Sequence, residues 1–491
     1  MKKLLLLSII IFIFCNLFAE AEWTILVYIA ADNSLFNAAF DDMNEMESVT
    51  YNDSVKIIVQ VDPKEDMSSD FDFSEARRYF ITYDNDEEQI NSDLLANLGE
   101  INSADPNEVS EFANWGFSAF PSKKRMLILW DHGDGWRRDG ELTKAICSDT
   151  DSGDNISVAD GELRQAISNI NYHLDILAFD ACLMQMPEVI GEIYEYCDFV
   201  IGSEEEVPWD GFPYGHFIGY YSDGILNYLV ENPTCTAEEF SNEIVARYID
   251  SYLGGGSQYY ANNISLSSIK TGYFDEFQNK LFAFTSEYSD TLLNYIYENV
   301  RENSQVFYNS NIDVYQFFSQ LAFYSEFQEV ADEILSVMDS LTVNSLAVYD
   351  NEVVADIGRM SIYFPETYSG FEDNYKDYIK LNFVQKTRWD KFLNSYFYIL
   401  PENPVFKFAP NPYIVSKFES GKFIITLNTI SNGEIFIYNF AGELVKKFKI
   451  FGSDFQTIEK EIYPNDLASG IYFCLLKTGN RTELLKIAII R

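Results

Sequence analysis

Positive charge is what this sequence has least of for its size: 34 Lys and Arg stand against 77 Asp and Glu, a net charge of −43 over 491 residues. A chain so acidic repels nucleic-acid phosphates and anionic lipid, and neither is expected as its main partner. Histidine is scarcer still, with only His132, His173 and His216. The six cysteines, at 15, 147, 182, 197, 235 and 474, show no C-x-x-C spacing, so neither a zinc site nor a disulfide framework is expected. P-loop, dinucleotide fingerprint and G-x-S-x-G elbow are all missing. After the first 21 residues no apolar run is long enough for a transmembrane helix, so no integral membrane segment is expected once that stretch is removed.

What is present is a large apolar and aromatic content, 47% and 16%, which argues against a disordered chain and for two or three domains. The acid excess reads first as a solubilising surface, and it also suits cationic substrates. Residues 1–21 read as an export signal: Lys2 and Lys3, an apolar run over 4–14 broken only by Ser8, then Ala19 and Ala21 at the cleavage region. Phe14 is bulky where a small residue precedes a lipidated Cys, so Cys15 is not expected to carry lipid. A secreted or cell-surface location follows.

From Trp23 onward buried strands alternate with amphipathic helices. Strands are expected over 24–30, 55–61, 125–130, 174–179 and from 199, with a possible edge strand over 77–83. Asp105 followed by Pro106 predicts a helix start, and further helices are expected over 157–170 and 183–196. The pattern predicts an α/β fold with a mostly parallel sheet covered on both faces over 22–400. A helical extension follows from 224, and 360–365 is expected to return to the sheet. Pro401, Pro404, Pro410 and Pro412 then mark a linker. Short strands separated by Gly-containing turns complete 401–491 as a small antiparallel β-sandwich.

Two strand ends carry chemistry. The first reads Trp130-Asp131-His132-Gly133-Asp134-Gly135-Trp136, a His delivered by a buried strand onto a glycine loop. The second reads Phe179-Asp180-Ala181-Cys182-Leu183-Met184. It puts Cys182 where a helix is expected to start, a place that lowers a thiol pKa. Thiol and imidazole on neighbouring strand ends make a nucleophile and its base. His173, His216 and the other mature cysteines, Cys147, Cys197, Cys235 and Cys474, read as structural. The acidic stretch 149–154 resembles a calcium loop, but its glycine does not follow the third ligand of an EF-hand, so a solvated loop is the favoured reading.

Trp23-Thr24-Ile25-Leu26-Val27-Tyr28 with Ala31-Asp32-Asn33, then the His132 and Cys182 motifs, resemble the clostripain family of cysteine peptidases over roughly 23–390. That resemblance implies a caspase-like α/β/α fold and cleavage of protein or peptide substrates after Arg or Lys. It implies Cys182 as nucleophile, His132 as base, and the N–H groups of Gly133 and Cys182 as oxyanion donors. Asp180 matches a family position in the first substrate pocket. A second acid is sought among Glu205, Glu206 and Asp210, with Asp210 favoured. Self-processing is expected between Lys144 and Ala145, in a loop that also holds Arg137 and Arg138. The chemistry asks for no cofactor, but calcium dependence in the family keeps that ion open at another place. The tail from about 409 resembles the type A C-terminal sorting domain of the type IX secretion system, an Ig-like sandwich, through Asn411-Pro412, Ile437-Tyr438-Asn439, Ala441-Gly442 and 467–472. It implies the secretion machinery as a partner. The rival reading is a non-catalytic adhesin or binding protein on a peptidase-like scaffold. Such a protein has no physical need for both His132 and Cys182.

Overall fold

Five runs with almost every residue buried, and so apolar on both faces, form the parallel centre of the sheet. In the computed structural model these are β1 (Ala21–Ala31), β2 (Val55–Pro63), β5 (Ser122–Trp130), β8 (Leu174–Asp180) and β9 (Cys197–Gly202). They lie side by side in the order β2-β1-β5-β8-β9. Antiparallel strands extend both sides: β3 (Ala76–Phe80) and β4 (Asp93–Gly99) beyond β2, and β10 (Ile264–Lys270) followed by the strands Thr342–Tyr349 and Glu352–Val354 beyond β9. The result is a mixed, largely parallel sheet of ten strands. A two-stranded ribbon, β6 (Ile146–Asp149) and β7 (Asp154–Ile156), stands apart from it.

Helices cover both faces. Trp23, Ile25, Val27 and Ile29 of β1 join one buried cluster with Phe40 and Met43 of the helix Phe36–Glu47 and Phe240, Ile244 and Tyr248 of the helix Ala237–Tyr252. The alternate residues face the helix Pro106–Ala119, where the Tyr28 and Phe112 rings lie 6.0 Å apart. Asp105 caps that helix by accepting from the Asn107 N–H at 2.8 Å.

The structure describes residues 20–399, apart from 67, 138–145, 216–222, 254–262, 287–288, 309, 350–351 and 355–356, and the strands of a second unit that begins at Leu400. That unit holds two antiparallel sheets. One contains Tyr413–Glu419, Lys422–Thr429 and Gln456–Ile462; the other contains Gly433–Asn439, Leu444–Ile450, Gly470–Thr478 and Arg481–Ile489. Among the described residues no helix is long and apolar enough to cross a membrane.

Several expectations need correction. The strand near 77–83 is β3 and is interior, because β4 lies outside it. The helix expected over 157–170 is confined to Glu162–Ser168, because Ser157 and Gly161 are spent on the turn before it. Residues near 360 do not rejoin the large sheet. Ser361–Tyr363 instead pairs with Asn311–Asp313, which pairs with Val306–Phe307, in a separate small sheet. The helix expected over 183–196 is Pro187–Ile193.

Candidate active site

β5 and β8 run parallel with Trp130 opposite Asp180, so His132 and Cys182 each stand two residues beyond one paired position. The two loops leave the sheet in contact. A Cβ added to Gly133 would lie 2.2 Å from the Cys182 carbonyl oxygen and 3.0 Å from its nitrogen. Only glycine lets the His132 loop approach the Cys182 backbone this closely.

The loop after β1 holds the histidine from the other side. Ser34 Oγ lies 2.8 Å from His132 Nε2. Asn33 fixes Ser34 in place: its Nδ2 donates to the Ala30 carbonyl at 2.9 Å and to Asp131 Oδ1 at 2.7 Å, while its Oδ1 accepts from the Leu35 N–H. The buried Asp131 carboxylate also accepts from the Ser148 N–H and, at 2.8 Å, from the Ser148 hydroxyl. Burial holds the His132 pKa below its ordinary value. Sequence reading missed Ser34, whose one signal is its place in the polar run Asp32-Asn33-Ser34 that follows a buried strand.

Cys182 is not at a helix start. The Leu183 N–H donates to the Glu205 carbonyl at 3.1 Å and the Gln185 N–H to the Ser203 carbonyl at 3.0 Å, so the chain runs on in extended contact with the segment after β9. The helix begins five residues after Cys182, at Pro187. No helix N-terminus stabilises the thiolate. Burial, with the nearby charges of Glu206, Asp180 and Asp131, instead pushes the Cys182 thiol up to about 11, against the lowering effect of the Val207 N–H that donates to Sγ at 3.2 Å. Among the cysteines whose side chains are described, Cys147, Cys197 and Cys235 are buried and Cys182 alone is partly exposed.

Asp180 is 3% exposed and lies beneath the loop after β9. Its Oδ2 accepts from the Phe212 N–H at 3.0 Å and the Tyr214 hydroxyl at 2.9 Å. Gly211, at φ +55, passes directly over that carboxylate. Burial raises Asp180 to about 7. A second buried acid, Asp42, accepts from Trp130 Nε1 at 2.6 Å and repels Asp180. Asp210 is half-buried. It helps to raise the Asp41 carboxyl to about 6, after burial and the charge of Asp70. Of the alternatives, Glu205 accepts from the Tyr349 hydroxyl at 3.0 Å, and Glu206 is exposed. Arg137 is buried, donates to Asn311 Oδ1 at 3.3 Å and covers the Tyr363 ring. Arg138, Lys144, Ala145 and His216 lie outside the described residues.

Residues 27–396 match the model of the clostripain family, and 409–490 match that of a secretion system C-terminal sorting domain. Clostripain of Hathewaya histolytica is 31% identical over an alignment of 217 positions that covers 39% of this chain and 40% of that protein's length. The fold is shared with two solved structures. One is a secreted C11 cysteine protease from Bacteroides thetaiotaomicron bound to an irreversible peptide inhibitor, with TM-score 0.54 and 22% identity over 75% of this chain and 99% of that one. The other is an inactive zymogen C11 protease from Parabacteroides distasonis, with TM-score 0.55 and 20% identity over the same shares.

Proposed function

The chain belongs to the clostripain family, and from that premise we propose that it is a secreted cysteine endopeptidase cutting after Arg or Lys. One observation carries the reading: the register of Trp130 with Asp180 sets a histidine and a cysteine equally far beyond adjacent strand ends, with Gly133 against the Cys182 backbone.

The Cys182 sulfur attacks the scissile carbonyl carbon while neutral His132 takes the thiol proton. The N–H groups of Gly133 and Cys182 hold the oxyanion. His132 returns the proton to the leaving amine, a thioester forms, and water activated by the same imidazole releases the acid. The buried Asp180, which ionises near pH 7, lies beneath the first pocket, and its negative charge above that pH joins that of the half-buried Asp210 at the rim. This arrangement favours a substrate guanidinium or ammonium over a neutral side chain. The fold reads as the caspase-like α/β/α sandwich. Residues 1–21 read as the export signal, 22–400 as the peptidase domain, and 401–491 as linker plus an Ig-like sorting sandwich recognised by the secretion machinery. Cleavage between Lys144 and Ala145 by the enzyme itself would activate it, and a related chain solved as an inactive zymogen supports a precursor stage.

The test is an assay of the chain and its Cys182→Ala variant on fluorogenic peptides ending in Arg, Lys, Asp or Leu, with and without calcium. Turnover after Arg or Lys that disappears in the variant is expected. No turnover by either protein, in reductant and calcium, would favour the binding-protein reading. An intact single chain after prolonged incubation of active enzyme would remove the self-processing step.

A further inference from the structure

The segment after β9 displays one large side chain that the proposed chemistry leaves unused. Trp209 is 53% exposed, whereas Trp23, Trp130, Trp136 and Trp389 are buried and Trp115 is half-buried. A lone exposed ring on an open surface needs no ligand to explain it. This one stands on a turn built into the site. The turn is Pro208-Trp209-Asp210-Gly211, closed by the Gly211 N–H donating to the Pro208 carbonyl at 3.0 Å. Trp209 and Asp210 are its two corner residues, and Gly211, at φ +55, completes it.

Both stems of the turn are fastened to the site. On one side the Val207 N–H donates to Cys182 Sγ at 3.2 Å. On the other the Phe212 N–H donates to Asp180 Oδ2 at 3.0 Å. The Gly211 carbonyl accepts from the buried Tyr252 hydroxyl at 2.7 Å, and the ring of Pro208 fixes its own φ. The turn therefore bridges the nucleophile and the acid beneath the first pocket, on supports that leave it little freedom. A substrate side chain that runs from a carbonyl bonded to Sγ toward Asp180 must pass along this turn, whose corners carry an indole and a carboxylate.

An indole face attracts cations through its ring quadrupole, more strongly than a Phe or Tyr ring does. The two cationic side chains gain unequally there. A guanidinium is planar and weakly hydrated, so it can lie flat on the ring while its N–H edge donates to carboxylate oxygens. An ammonium is compact and strongly hydrated, and it does not stack. We propose that Trp209 is a specificity-determining residue of this chain, stacking on the side chain before the scissile bond and selecting arginine over lysine. Its role rests on the peptidase reading and refines it: Asp180 and Asp210 select a cation, and the indole selects which one.

The experiment measures kcat/KM for the chain and its Trp209→Ala and Trp209→Phe variants on fluorogenic peptides that differ only in Arg or Lys before the cut. The chain is expected to prefer Arg by about fivefold or more. Trp209→Ala should abolish that preference through a higher KM on Arg, with kcat nearly unchanged and Lys turnover within about twofold. Trp209→Phe, which keeps a ring with a weaker face, should keep part of the preference, and it covers the case in which Trp209→Ala disturbs the turn. A chain that prefers Lys, or an Arg-to-Lys ratio that both variants leave unchanged, would overturn the role of Trp209 and leave the peptidase standing. Equal losses on Arg and Lys would assign Trp209 to support of the loop and overturn the selection as well. Turnover after neither residue would remove the cationic first pocket, and the selection with it.

Discussion

Gly133 has no room for a side chain, and the obstacle is backbone rather than a movable side-chain tip. Gly133→Ala must push the His132 loop off the Cys182 backbone. Displacements near 1 Å at reacting groups cost about a hundredfold, so kcat/KM should fall at least that far while the melting temperature changes little. Normal turnover in this variant would mean that the two loops separate during catalysis. The pH profile follows from the same two side chains. Burial lowers His132 and lifts the Cys182 thiol to about 11, so both are uncharged around neutrality. The imidazole must be deprotonated to act as base, so kcat/KM should rise with pH through a midpoint below the usual value of about 6.5. It should then hold level to pH 8. Iodoacetamide labelling of Cys182 in the resting enzyme should be slow at pH 7 and quicken toward pH 11. A thiol as reactive at pH 6 as at pH 9 would contradict the neutral pair and require a thiolate–imidazolium couple.

At the scale of elements, the helix Pro106–Ala119 shows what local sequence decides. Its Asp105 cap and Pro106 are both local signals, and the structure uses both. Asp105→Ala should cost about 1 kcal/mol of stability, read as a lower denaturation midpoint with kcat/KM unchanged; altered turnover would implicate this helix in the site. The segment after Cys182 shows what local sequence does not decide. Its apolar residues carry helical spacing, yet the Leu183 and Gln185 N–H groups are drawn to carbonyls about twenty residues further on. Leu183 is held at φ +62, a conformation that costs a non-glycine residue about 1 kcal/mol. The inner strands were legible because burial on both faces leaves an unbroken apolar run. β4 was not legible, because most of its residues face solvent and no alternation marks it. The adjacency of the His132 and Cys182 strand ends could be inferred from parallel-sheet topology. Ser34 against His132 depends on a loop position that no residue spacing encodes.

Across the whole molecule, buried acids reverse the usual direction of acid lability. Burial pushes Asp180, Glu188 and Glu205 up to about 7, and Glu204 and Asp42 well above the carboxylate range. Below about pH 3 these groups are protonated whether the chain is folded or unfolded. As pH rises the unfolded chain ionises first, while the folded chain holds its protons until about 7, so stability is lost across that window. Repulsion within a chain of net charge −43 acts in the same direction. The melting temperature of the Cys182→Ala chain, which cannot digest itself, should therefore rise as pH falls from 8 to 5. A falling melting temperature would show that other paired carboxylates dominate. Salt separates the two causes, since it screens surface repulsion more than buried charge. Glu188 then isolates one buried contribution. It is fully buried, with Oε1 accepting from the Tyr363 N–H at 3.0 Å and the Tyr378 hydroxyl at 2.9 Å. Its Oε2 has no partner. Gln in its place keeps the acceptor, cannot ionise, and imitates the protonated acid. Glu188→Gln should leave the melting temperature at pH 5 nearly unchanged and raise it at pH 8, flattening the profile at high salt. An equal shift at both pH values would assign the effect to packing and remove Glu188 from the titrating set.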